Sequence, residues 1–180
     1  MNERKILINR APVLTLWASI VAERLGFDRD EALSLGKAVA GMTAQSKGRR
    51  LGIYKPVPKE IKKARAQKRG EEFFVEVCGR PVPATNTANG VRAVNKHKPV
   101  EPEGAERYLE SKFGDELTAA RKAMRDLAKA FKPGELAEKS FRLYEQFRPS
   151  IPEGVAGWGA KGKLDLDRIG RLASKSNPIS

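Results

Sequence analysis

The chain has 180 residues, and its 35 Lys and Arg against 22 Asp and Glu leave a net charge of +13 and a pI near 10.0. Such a charge points to a polyanionic partner, nucleic acid above all, or to an anionic surface. The single cysteine, Cys78, excludes an internal disulfide and a multi-cysteine metal site, and fits a reducing, cytoplasmic compartment.

The N-terminal stretch combines a basic start with an apolar run, yet Glu23 and Arg24 follow at once. It therefore reads as an amphipathic helix and not as a signal peptide. No segment approaches the roughly 18 uninterrupted apolar residues that a membrane span requires. Pro12 suits a first helical turn, Val13, Leu14, Trp17, Ile20, Val21 and Leu25 recur at helical spacing, and Gly26 is a stop. Asp28 or Asp30 caps a second predicted helix with the face Ala32, Leu35, Val39 and Met42. Residues 11–43 thus form a helical hairpin.

Residues 44–70 differ in composition. Lys47, Arg49, Arg50, Lys55, Lys59, Lys62, Lys63, Arg65, Lys68 and Arg69 meet one acid, Glu60, so this connector carries nine of the thirteen net charges. Pro56 and Pro58 divide it into a basic turn and a polar arm, the latter expected as a solvated helix when bound and mobile without a partner. Its cations can neutralise phosphates and release counterions, and Tyr54 can stack on an exposed base. The competing use is a solubilising linker, but ordinary surfaces mix charge signs more evenly.

Residues 71–98 read as a β hairpin or three-stranded meander. Phe73, Val75 and Val77 alternate with Phe74, Glu76 and Cys78, Gly79 marks a turn, and Asn89-Gly90 is a hairpin signal. Pro81 and Pro83 restrict the middle run to an edge strand or an extended loop. Arg80, Arg92, Lys96 and Lys98 could then reach a groove as a wing does. His97 has no evident partner that would make it a general base, and a Cys78–His97 nucleophile pair is disfavoured because Cys78 reads as core.

Residues 101–174 are helical. The stripes are Ala105, Tyr108, Leu109 and Phe113, then Leu117, Ala120, Met124, Leu127 and Phe131, then Leu136, Phe141, Leu143, Tyr144 and Phe147. A short last helix is expected through Leu164, Leu166, Ile169 and Leu172, with Asp165 and Asp167 as caps. Before it, Gly157–Leu164 (GWGAKGKL) matches two phosphate-loop patterns by spacing. Both fail on context, because Leu164 stands where a P-loop needs a hydroxyl and no strand-like run precedes the glycines. A compact turn is expected, folding Trp158 back and presenting Lys161 and Lys163 at its rim.

The segment VAERLGFDRDEALSLGKAV resembles a helix-turn-helix, with Ala22, Gly26 and Ala32 at the positions that fix the helix crossing. The resemblance implies a second helix in the major groove. Asp30 and Glu31 depart from it, facing phosphates with only Arg29 and Lys37 to counter them. As a whole string, APVLTLWASIVAERLG, AQSKGRRLGI and RPSIPEGVAGWGAKG resemble a family of small basic proteins without an assigned function, which implies a recurring fold and nothing about activity.

The sequence thus predicts one mainly helical α+β domain that binds nucleic acid, DNA more than RNA and double-stranded DNA first, without catalysis, cofactor or metal. The ten connector cations supply most contacts, with Arg29, Lys37, Arg92, Lys96, Lys98, Lys161 and Lys163 secondary. The alternative is an adaptor whose basic segment docks on an acidic protein or an anionic surface, with no membrane insertion. Cytoplasmic placement, at the nucleoid if the source is bacterial, goes with the first reading.

Overall fold

Helix α1 (Arg10–Leu25) is apolar around its whole circumference, and a helix of that kind must be enclosed on all sides. Thirteen of its sixteen residues are buried in the computed structural model, which describes residues 5–45, 70–95, 98–149 and 161–176. Gly26 ends α1 in the left-handed conformation at φ 117°, and the Phe27 amide turns back to the Ala22 carbonyl at 3.2 Å. Helix α2 (Arg29–Gln45) follows immediately, opened by a reciprocal cap. The Asp28 carboxylate accepts from the Glu31 amide at 2.8 Å while the Glu31 carboxylate accepts from the Asp28 amide at 3.0 Å.

Three further helices pack around this pair: α3 (Pro102–Phe113), α4 (Leu117–Lys129) and α5 (Pro133–Phe147). Their expected stripes face inward, except that Tyr108 and Phe141 are half-buried. Proline opens α3 and α5 within the first turn, where its missing N–H costs nothing. Trp17 at the centre of α1 is fully buried, donates its indole N–H to the Ser140 carbonyl at 2.8 Å, and meets Phe147 edge-on at 5.3 Å. The fold is therefore mixed α+β and mainly helical, with the core centred on α1.

Strands β2 (Glu72–Val77), β3 (Arg80–Thr87), β4 (Gly90–Asn95) and β5 (Lys98–Pro99) form an antiparallel sheet in that order, packed on α2. This adds one strand to the expected meander. It also places the proline-bearing run inside the sheet and not at its edge. The register removes the conflict: β4 pairs only with Ala84–Thr87 of β3, while Pro81 and Pro83 lie opposite Glu76 and Phe74 of β2. Hydrogen-bonding groups alternate sides along an antiparallel strand, and Val77 and Arg80 close the two-residue turn. The two proline nitrogens accordingly point to the side where the pairing of β3 with β4 has ended.

Cys78 lies in that turn and not on a strand face, at φ 51° beside Gly79 at φ 72°, the twist that a tight hairpin favours. It is nonetheless buried, as expected of a core residue.

A second sheet was not expected. Strand β1 (Lys5–Asn9) pairs antiparallel with β6 (Lys161–Asp165), Ile8 opposite Gly162 and Leu7 opposite Lys163. The last four residues of the glycine-rich stretch are thus strand and not turn, and the final helix, α6 (Leu166–Ser176), begins two residues after Leu164. Asp165 caps it as expected, its carboxylate accepting from the Asp167 amide at 3.0 Å. Among the described residues no helix is long and apolar enough to cross a membrane.

Candidate nucleic-acid interface

All ten connector cations lie outside the described residues, as do Tyr54, Lys96, His97 and Trp158. What the structure gives is the attachment of that segment. It leaves from the C-terminal part of α2, where Gly41 is exposed, and returns through exposed Gly70, Glu71 and Glu72 into β2.

The remaining candidates fall into two groups. Arg92 cannot reach a surface ligand. It is 5% exposed, and one of its guanidinium nitrogens donates to the Val91 carbonyl at 3.0 Å, so its assignment as a secondary contact is withdrawn. Arg29 and Lys37 stay accessible but are engaged. Arg29 lies 3.4 Å from the Glu106 carboxylate, and the Lys37 ammonium sits 4.5 Å over the Tyr108 ring. Glu106 also receives both terminal nitrogens of Arg121, the shorter at 2.7 Å. Burial pushes the Glu106 carboxyl up, but Arg121 and Arg29 outweigh it and hold the group below its ordinary value. Arg80 stacks on Phe141 at 5.0 Å. Lys98, Lys161 and Lys163 are exposed.

Glu31 does not face solvent as the sequence suggested. It is 6% exposed, and one carboxylate oxygen accepts the Asp28 amide while the other accepts the Val91 amide of β4 at 2.9 Å. Ser34, one turn on, donates to the Val100 carbonyl at 2.6 Å and accepts the Ala93 amide at 2.8 Å. Every residue of α2 from Glu31 to Gly36 is buried. The first turns of α2 therefore serve the sheet, and only Arg29 and Asp30 of that end are open to a ligand.

Chemistry at Cys78 has little support. Burial pushes its thiol up to about 12, with Ser140 and Arg80 pulling weakly the other way, so it is protonated and a poor nucleophile near neutrality.

The described cations that do converge were mostly missed in the sequence. Arg10, Arg148 and Arg168 meet Lys161 and Lys163 around a groove of about 600 Å³ between β6 and the end of α5. The three arginines come from remote positions, so no local pattern joins them. Only the alternation Lys161-Gly162-Lys163 on a strand could have signalled outward-facing charge. Comparison with protein-family models, with curated proteins and with solved structures finds no match for this chain.

Proposed function

We propose that the chain is a non-enzymatic nucleic-acid-binding protein that engages double-stranded DNA through residues 44–70 and works in the cytoplasm. The observation that carries this reading is the charge distribution. The connector holds ten cations and one acid, whereas the rest of the chain is nearly balanced, with 25 basic and 21 acidic side chains. A segment so lopsided gains affinity for phosphates by releasing counterions, without needing to read bases. The described residues that flank it, Gly41 on one side and Gly70 to Glu72 on the other, are exposed. With the start of α2 committed to the sheet, base reading by that helix plays no part in the proposal.

The test is binding of a short duplex, a single strand and an acidic polypeptide across a salt series. The expected result is micromolar or tighter duplex binding with a steep salt slope. Each cation that meets a phosphate contributes about 0.9 to that slope, so changing Arg49, Arg50, Lys62, Lys63, Lys68 and Arg69 to Gln should flatten it. Equal affinity for the acidic polypeptide would favour the adaptor reading, and absence of binding to all three would overturn both.

A further inference from the structure

We propose that the groove between β6 and the C-terminal end of α5 is a second anion site, built for a ligand carrying two or more phosphoryl groups. Three arginines line it, and among the described residues each is held by one contact that leaves its other donors without a partner. Arg10 Nε donates to the Pro149 carbonyl at 2.9 Å, and Arg168 Nε to the Gln146 carbonyl at 2.5 Å. Arg148 lies 5.9 Å over the Tyr144 ring. Among the described residues the terminal nitrogens of all three lack a hydrogen-bond acceptor and a carboxylate within 4 Å. Fixing a guanidinium by its Nε or its face removes rotamer freedom in advance and leaves the planar fork that matches phosphate oxygens.

The charges around the groove are also unbalanced. Lys161 and Lys163 extend outward from alternate positions of β6, while the acids on the lining are Glu145 and Asp165. Asp165 is occupied: one oxygen caps α6 and the other faces Arg171 at 3.7 Å. Arg10 and Arg148 are close enough that Arg148, after burial, contributes to lowering the Arg10 guanidinium from its ordinary value. Two like charges held together in this way repel unless an anion lies between them. Helix α5 ends here, so its Gln146 carbonyl accounts for one donor of Arg168, and the Pro149 carbonyl just beyond it for one donor of Arg10. They leave the other forks and both lysines unexplained. A single carboxylate could satisfy one fork. Five cations suit an anion of higher charge, and the volume is that of a small-ligand site.

Phosphoryl groups of this kind occur on free polyphosphate and along a nucleic-acid backbone, so the test uses both. Inorganic tripolyphosphate and a short DNA duplex would be titrated separately into the full chain and followed by amide chemical shifts. Tripolyphosphate should move the amides of Arg148, Gly162, Lys163 and Arg168. The variant Arg148→Gln/Lys161→Gln/Lys163→Gln should weaken that binding by about ten-fold or more, since hydrogen bonds to charged groups are the stronger class. The control Lys122→Gln/Lys129→Gln/Lys139→Gln removes the same charge elsewhere and should leave it within about two-fold. Equal weakening in both variants, or no shifts at these amides, would overturn the site. If the duplex moves the same amides, the groove serves nucleic acid, and if only tripolyphosphate does, it serves a free polyphosphate. Failure of the duplex to bind anywhere counts against the connector reading and leaves the tripolyphosphate result standing.

Discussion

Two buried groups at the sheet show how a single side chain can tie elements together or become a liability. The Glu31 carboxylate spends both oxygens on backbone amides, one from its own helix cap and one from β4, across 60 positions of sequence. Gly90 makes room for it, since a Cβ there would stand 2.9 Å from the carboxylate in a backbone already at φ 116°. Cys78 is the liability at high pH. Its ordinary thiol value of 9.0 applies to the unfolded chain, and burial raises the folded value to about 12. Between those values the unfolded chain loses a proton that the folded one keeps. This contribution to stability is therefore complete below pH 9 and falls as pH rises, by about 1.4 kcal/mol per unit. Urea unfolding of the native chain and of Cys78→Ser at pH 8, 9, 10 and 11 should show the native chain losing stability faster. Parallel curves for the two proteins would remove the thiol as the cause.

The elements differ in how plainly the sequence announces them. Helices α1 to α5 were legible because each carries apolar residues at helical spacing, on one face in α2 to α5 and all round in α1, bounded by Gly, Pro or a capping residue. Strands β1 and β6 were not. In β1 the outward residue Leu7 is apolar and 64% exposed, which breaks the polar-apolar alternation, and in β6 an inward position is Gly162, which reads as turn. The candidate site suffered for the same reason, because the groove exists only once β6 is placed beside α5. The α1–α2 crossing has a close point that the sequence reading did not name. At Gly36 the two helices approach so closely that a Cβ would lie 2.7 Å from the Ser19 amide nitrogen and 2.7 Å from the Thr15 carbonyl oxygen. These are backbone atoms and cannot swing aside. Gly36→Ala should therefore cost about 1–3 kcal/mol despite alanine's better helix propensity. Gly41→Ala, in the same helix with open space at its Cβ, should instead stabilise by about 0.5–1 kcal/mol. Denaturant midpoints moving in opposite directions would confirm the crossing point, and a neutral or stabilising Gly36→Ala would place it elsewhere.

At the scale of the whole molecule, the net charge is concentrated in one part of the chain. Among the described residues the buried cluster runs through β1 to β4, β6 and all six helices, from Ile6 to Ile169. Nine of the thirteen net charges lie within the connector. Charge concentrated in this way should be separable from folding by mutation. Changing all ten connector cations to Gln keeps the length of the link between α2 and β2 and relieves like-charge repulsion. Such a chain should keep its helical circular-dichroism spectrum and a single cooperative urea transition. Its stability should stay within about 1 kcal/mol, because no residue of the described buried cluster is altered. Duplex affinity should fall to what the described cations supply, and the dependence of log K on log salt should flatten by several units if most of the ten meet phosphates. Loss of the cooperative transition would mean that the connector cations help hold the fold. Unchanged affinity with an intact fold would move DNA binding to the groove beside α5 or to another surface. A stable fold with a collapsed salt slope is the outcome that a balanced core and a separate cationic arm require.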